Sequence, residues 1–103
     1  MNIALIKRWK ISETLLKRAH EALPRLNSES ERGAALEKEF TEYLQHNEHE
    51  LALDALEELG GLTAPRGGFW KDLIRAAENM ELTHRIPRFQ QKFNEAIARL
   101  SKS

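Results

Sequence analysis

Apolar residues recur every three or four positions along nearly all of this chain, and nowhere does a sustained apolar/polar alternation mark a strand. The pattern predicts an all-α fold. Leu5, Trp9, Leu16, Ala19 and Leu23 trace one stripe of a first helix, with room for a bend near Ile11-Ser12 and an end at Pro24. Ser28 or Ser30 can cap a second helix whose inward face is Leu36, Phe40, Tyr43 and Leu44. Asn47 with Glu50 three residues on resembles a capping box, which starts a third helix through Leu51, Ala52, Ala55, Leu56 and Leu59. Gly60-Gly61 is expected to stop that helix, because glycine supplies the left-handed conformation a helix end often needs. The stretch LTAPRGG then reads as the clearest loop in the chain. Phe69, Trp70, Leu73, Ile74, Ala77 and Met80 form a fourth stripe. A fifth follows Pro87, a residue the first helical turn tolerates, through Phe89, Phe93, Ile97 and Leu100.

Four to five helices joined by short connections imply one compact bundle, a single domain over residues 1–103. Burying a Leu or Phe contributes about 1.5–3 kcal/mol before ordering entropy, so roughly twenty such residues make a sufficient core. There is no internal repeat, low-complexity segment or linker. With 31% charged and 41% hydrophobic residues, wholesale disorder is not expected. The chain has no cysteine, which removes disulfides, thiolate metal sites and cysteine nucleophiles together. MNIALIKRWK places its charges after a short apolar stretch, the reverse of a secretory signal, and no apolar run approaches the roughly 20 residues of a membrane span. A cytoplasmic location is the default expectation, with no membrane association.

Charge changes the picture more than composition does. The formal net charge is zero, yet from Glu29 to Glu58 ten acidic residues face only Arg32 and Lys38, a local charge of −8 balanced by +4 on each flank. Such segregation can steer a basic partner. Catalysis is poorly supported, since the sequence has no phosphate-binding glycine loop, no nucleophile elbow and no dinucleotide fingerprint. The Gly60-Gly61 and Gly67-Gly68 pairs read as helix punctuation. His46, His49 and Glu50 are the most tempting metal cluster, but they lack the H-E-x-x-H order and Asn47 is expected to break the helix between the histidines. They read instead as exposed or capping residues, and no metal or cofactor is called for. Glu57-Glu58 point about 100° apart on a helix, a solvated face rather than a catalytic dyad. Phe69-Trp70 and Trp9 are either exposed anchors or, by their spacing, core. The basic C-terminal stretch, Arg85, Arg88, Lys92, Arg99 and Lys102, either contacts nucleic-acid phosphates or complements the acidic helices.

The blocks FTEYLQHNEHELALDALEELGG and FWKDLIRAAENMEL, about Phe40 to Leu82, resemble the small all-helical immunity proteins of bacterial polymorphic toxin and contact-dependent growth inhibition systems, of the MafI and CdiI type. The resemblance rests on Tyr43, His46, Asn47, Glu48, Glu50, Asp54, Phe69, Trp70 and Met80 occurring together. It implies no enzymatic activity and a protein that binds and neutralises a cognate toxin domain. That toxin is often a ribonuclease, EndoU-like or another RNase, carried as the C-terminal domain of a secreted protein. An acidic helix pair suits a cleft built for RNA, and Glu42, Glu48, Glu50, Asp54, Glu57 and Glu58 are the candidate contacts. A free monomer forming a one-to-one complex, with no direct nucleic acid, is the expectation. The alternatives are a small helical regulatory module that binds nucleic acid through its basic C-terminal helix, and a self-associating helical scaffold.

Overall fold

The computed structural model describes residues 3–24 and 30–101, all of whose regular structure is helical: α1 (Ile3–Glu21), α2 (Glu31–Gln45), α3 (His49–Thr63), α4 (Gly67–Asn79), a short 3₁₀ turn (Thr83–Arg85) and α5 (Ile86–Ser101). The fold is an all-α bundle. α4 lies at its centre, packed against α1, α5 and α3, while α2 folds back along α3 as an antiparallel hairpin. Among the described residues seventeen buried apolar side chains form one core, and six of them are alanines. Small side chains at that frequency let helix axes approach toward the short end of the usual 8–10 Å spacing.

α1 runs unbroken through Ile11 and Ser12, and Ser12 is buried because its Oγ accepts a 2.7 Å hydrogen bond from Asn79 of α4. Leu16 and Ala19 occupy the core as the spacing predicts, whereas Leu5 is 42% and Trp9 50% exposed. The apolar stripe of α1 therefore outlasts the core it serves. Arg18 adds a bidentate pair to Asp72 of α4, at 3.0 and 2.6 Å, and the 7% exposure of Asp72 makes this guanidinium necessary to it. The guanidinium's pKa is raised by that hydrogen bond first and by the Asp72 charge second.

Ser30 caps α2, its side chain accepting from the amide of Gly33 at 3.0 Å, while Ser28 lies outside the described residues. The capping box expected from Asn47 and Glu50 is not formed. Asn47 sits at φ 57°, Glu48 N donates to Tyr43 O at 2.8 Å and Asn47 N donates to Leu44 O at 3.2 Å. That is the Schellman pattern, so Asn47 ends α2 rather than starting α3. α4 stops in the same way at Glu81, φ 62°, where Leu82 N donates to Ala77 O at 2.8 Å and Glu81 N to Glu78 O at 3.1 Å.

Both glycine pairs differ from the sequence reading. α3 continues through Gly60 and Gly61 to Thr63 and closes on Ala64 at φ 49°. Gly60 is buried where a Cβ would lie 2.5 Å from a Phe69 ring carbon and under 3 Å from Trp70, so it serves close approach rather than a stop. Gly67 and Gly68 are the first residues of α4, and Gly67 lies against Phe93 and Ile97. The expected seven-residue loop shrinks to Ala64–Arg66. Phe69 and Trp70 pack edge-on with centroids 4.9 Å apart and are buried, whereas Ile97 and Leu100 at the far end of α5 are exposed.

Candidate partner-binding surface

The helices that carry the predicted contacts, α2 and α3, hold nine acidic residues between Glu31 and Glu58 against Arg32 and Lys38. The bundle brings cations from elsewhere to several of them. Arg85, buried in the 3₁₀ turn, donates Nη2 to Glu50 at 2.7 Å and Nη1 to Asp54 at 2.5 Å. Arg88 of α5 holds Glu57 in a bidentate pair at 2.7 and 2.8 Å. Within the hairpin, Arg32 near the start of α2 reaches Glu58 near the end of α3. His20 of α1 stacks on Phe40 and pairs with Glu37. The Asp54 carboxyl is pushed above the usual carboxylate range, chiefly by burial, with the opposing pull of Arg85 only partly offsetting it.

The six predicted contacts thus fall into two groups. Glu50, Asp54, Glu57 and Glu58 are engaged by arginines of the same chain while keeping part of each carboxylate in solvent, 56, 44, 28 and 55% of the side-chain surface. Glu42 and Glu48 are exposed, and their side chains have no partner among the described residues. Nine acids less Arg32, Lys38, Arg85 and Arg88 leave five negative charges on the hairpin without a matching cation. The basic C-terminal stretch is correspondingly occupied. Besides Arg85 and Arg88, Lys92 lies 3.7 Å from Glu95 and Arg99 donates to the Pro65 carbonyl at 3.2 Å, and Lys102 is outside the described residues.

His46 and His49 are separated by the αL residue at Asn47, so His46 caps α2 while His49 opens α3. Among the described residues no three His, Asp or Glu side chains are grouped to hold a metal ion, and no helix is long and apolar enough to cross a membrane.

A second feature escapes the sequence pattern. Leu5, Arg8, Trp9 and Ser12 of α1 face the α2–α3 junction (Asn47, His49) and the end of α4 (Asn79, Met80, Glu81) across a groove of about 300 Å³. His49 is only 8% exposed, and its Nε2 is closed to solvent with no hydrogen-bond partner among the described residues. Burial holds its imidazole below the usual histidine range, against a smaller raising effect of Glu13. The signal in the sequence was the Leu5–Trp9 continuation of the α1 stripe, but nothing in the sequence told that α4 ends opposite it. Comparison with known proteins adds no identification: no family model, no curated protein and no solved structure matches this chain.

Proposed function

We propose that this chain is a non-catalytic binding protein that captures a basic partner on the acidic α2–α3 hairpin, acting as an immunity protein toward a nuclease toxin domain in a one-to-one complex. The observation that carries the reading is the residual charge of the hairpin. Five acidic charges stay unmatched after Lys38 and the three arginines are counted, and Glu42 and Glu48 stand free on its surface. A nuclease cleft presents Lys, Arg and His to hold a polyanion, and a rigid pair of helices with carboxylates at fixed spacing competes for the same groups. Long-range attraction also accelerates encounter, which matters for an inhibitor that must act before turnover. The nucleic-acid alternative is less favoured, because Arg85 and Arg88 already face carboxylates of the same molecule.

The test is co-expression with nuclease toxin domains, beginning with any encoded beside this gene, scored by growth rescue and by co-purification. A specific complex buries on the order of 1,200–2,000 Å². Charge reversal at Glu42 and Glu48 then locates the surface, since neither removes an internal ion pair. Association should slow about tenfold at low ionic strength, with the difference shrinking as salt is added. No complex and unrelieved toxicity sink the immunity reading, and unchanged association kinetics sink this surface.

A further inference from the structure

Ile11 and Leu15 lie on a flank of α1 that the core does not use, and Ile11 is 50% exposed. With Lys10 of α1 and with Arg75 and Glu78 of α4 they line two shallow hollows, of about 490 and 250 Å³, that meet along the α1–α4 seam. The seam is basic. Lys10, with Lys7 one turn before Ile11, and Lys71 one turn before Arg75, are exposed and have no ion pair among the described residues. Arg75 approaches Asp72 only at 3.7 Å, and Arg18 already holds that carboxylate. Four cations less Glu78 leave +3 along the seam. The acids of the hairpin cannot reach it within one molecule. α1 meets α2 through His20, stacked on Phe40, and His20 stands nine residues from Ile11, half a turn round a helix of 100° per residue. α3 carries the complementary pattern. Glu48, Leu51, Asp54, Glu58 and Leu62 follow one another at three- and four-residue spacing on the side away from its buried face, with Leu51 43% and Leu62 53% exposed.

We propose that the α1–α4 seam is occupied by a second copy of this chain, whose α3 lays Leu51 against Ile11 and Leu15 and its carboxylates among Lys7, Lys10, Lys71 and Arg75. Charge complementarity selects this occupant. The seam asks for negative charge and an aliphatic side chain on one face, and α3 supplies both. The chain's net charge is zero, so copies approach without overall repulsion. RNA would bring the charge, but its phosphates offer nothing apolar to Ile11 and Leu15. Because seam and stripe are different surfaces, the contact is heterologous, and each added copy presents a fresh seam and a fresh stripe. Association is therefore open-ended. It is also weak and salt-sensitive, since it joins exposed charges and few apolar side chains. The self-contact stands without the immunity reading. What rests on that reading is its consequence, that a tight basic partner on the hairpin displaces the second copy and releases monomers.

Sedimentation velocity on nuclease-treated protein tests the contact without any partner. At low salt the weight-average mass should rise about twofold or more between about 10 µM and 1 mM, without a plateau at the dimer, and return to the monomer value at about 0.5 M salt. Neutral double variants separate the two surfaces without creating a new attraction. Lys10→Gln with Ile11→Gln removes the seam, and Glu48→Gln with Leu51→Gln removes the stripe. Each alone should stay monomeric. Their equimolar mixture should form a one-to-one dimer that grows no further, because one native seam and one native stripe remain between them, and that dimer also shows both variants to be folded. The milder Ile11→Ala and Leu51→Ala should each weaken association of the whole chain about threefold or more. A parent protein monomeric at every concentration and salt overturns the proposal, as do alanine variants that associate like the parent. A monomeric protein that instead binds an RNA oligonucleotide through Lys10 assigns the seam to nucleic acid and overturns it equally. Growth rescue is scored separately, so the self-contact can fail while immunity stands, and immunity can fail while the self-contact stands.

Discussion

Adjacent glycines in α3 should respond to the same substitution in opposite directions. At Gly61 an added Cβ meets nothing within 4 Å, whereas at Gly60 it would lie 2.5 Å from Phe69 Cε1 and 2.8 and 2.9 Å from two Trp70 ring carbons. Both changes gain helix propensity, worth about 0.5–1 kcal/mol for Gly→Ala toward the end of a helix. Carbon atoms pack at about 3.5–4.0 Å, so Gly60→Ala also demands roughly 1 Å of movement from two rings that are 1% and 2% exposed. Overpacking of this kind costs about 1–3 kcal/mol, and three contacts below 3 Å at once place it near the upper end. Gly60→Ala should therefore lose about 2 kcal/mol, roughly 10 °C in Tm for a domain of this size, while Gly61→Ala gains a few degrees. Thermal and urea melts followed by far-UV circular dichroism decide it, with the near-UV signal of Trp70 reporting repacking. Equal effects at the two positions, or a Gly60→Ala protein as stable as its parent, would refute the account of how α4 seats on α3.

Three further outcomes follow from the geometry. Ala64 and Glu81 hold positive φ at helix ends, so replacing either with glycine should raise stability by about 0.5–1 kcal/mol in urea titrations, Asn47 being better suited to that conformation as it stands. His49 has a folded pKa below that of the unfolded chain, so the unfolded state takes up more protons and stability should fall as pH drops below about 6.5; His49→Leu should flatten the slope between pH 7.5 and 5.5. Arg85→Met leaves Glu50 and Asp54 without their cation and should cost about 1–2 kcal/mol at pH 7, less than a fully buried pair because both carboxylates keep solvent contact. Arg85 also lowers the pKa of Asp54, so its removal should raise that pKa further, and the deficit should shrink on acidification as Asp54 protonates.

Much of the fold was legible because helical stripes survive in one dimension. The α4 run from Phe69 to Ala77, the Ser30 cap and Pro87 in the first turn of α5 all stand as the spacing predicts. The errors came where one residue type answers two physical needs. A glycine that supplies left-handed backbone and a glycine that admits a neighbouring ring read alike, and only the return of Phe69 and Trp70 onto α3 separates them. Asn47 three residues before Glu50 reads as a cap, yet its side chain tolerates positive φ equally well, and the Tyr43 and Leu44 carbonyls used it that way. Trp9 shares the α1 stripe but lies beyond the reach of the helices that bury Leu16. Charge failed in a related way, since the sequence sums it along the chain while the fold sums it in space, and Arg85 and Arg88 arrive from about thirty residues downstream of the acids they meet.

That spatial sum separates acids that hold the bundle from acids that only crowd it. Half-exposed pairs such as Arg32 with Glu58 contribute little, because solvent screens them, so the paired acids have a modest structural use. Glu42 and Glu48 have no ion pair among the described residues, and Glu48, though it stands at the N-cap of α3, makes no side-chain capping bond there. Within a hairpin carrying five unmatched negative charges, each should repel its neighbours by a few tenths of a kcal/mol at low salt. The isosteric pair Glu42→Gln and Glu48→Gln should accordingly leave the free protein unchanged or stabilise it by about 0.5 kcal/mol in low-salt urea titrations, with the gain disappearing at high ionic strength. A loss of stability instead would assign these carboxylates a structural duty and remove the main reason for reading them as partner contacts. Carboxylates that cost the free protein stability and gain it nothing internally are the ones the proposed basic partner would neutralise, so their binding and stability effects should run in opposite directions.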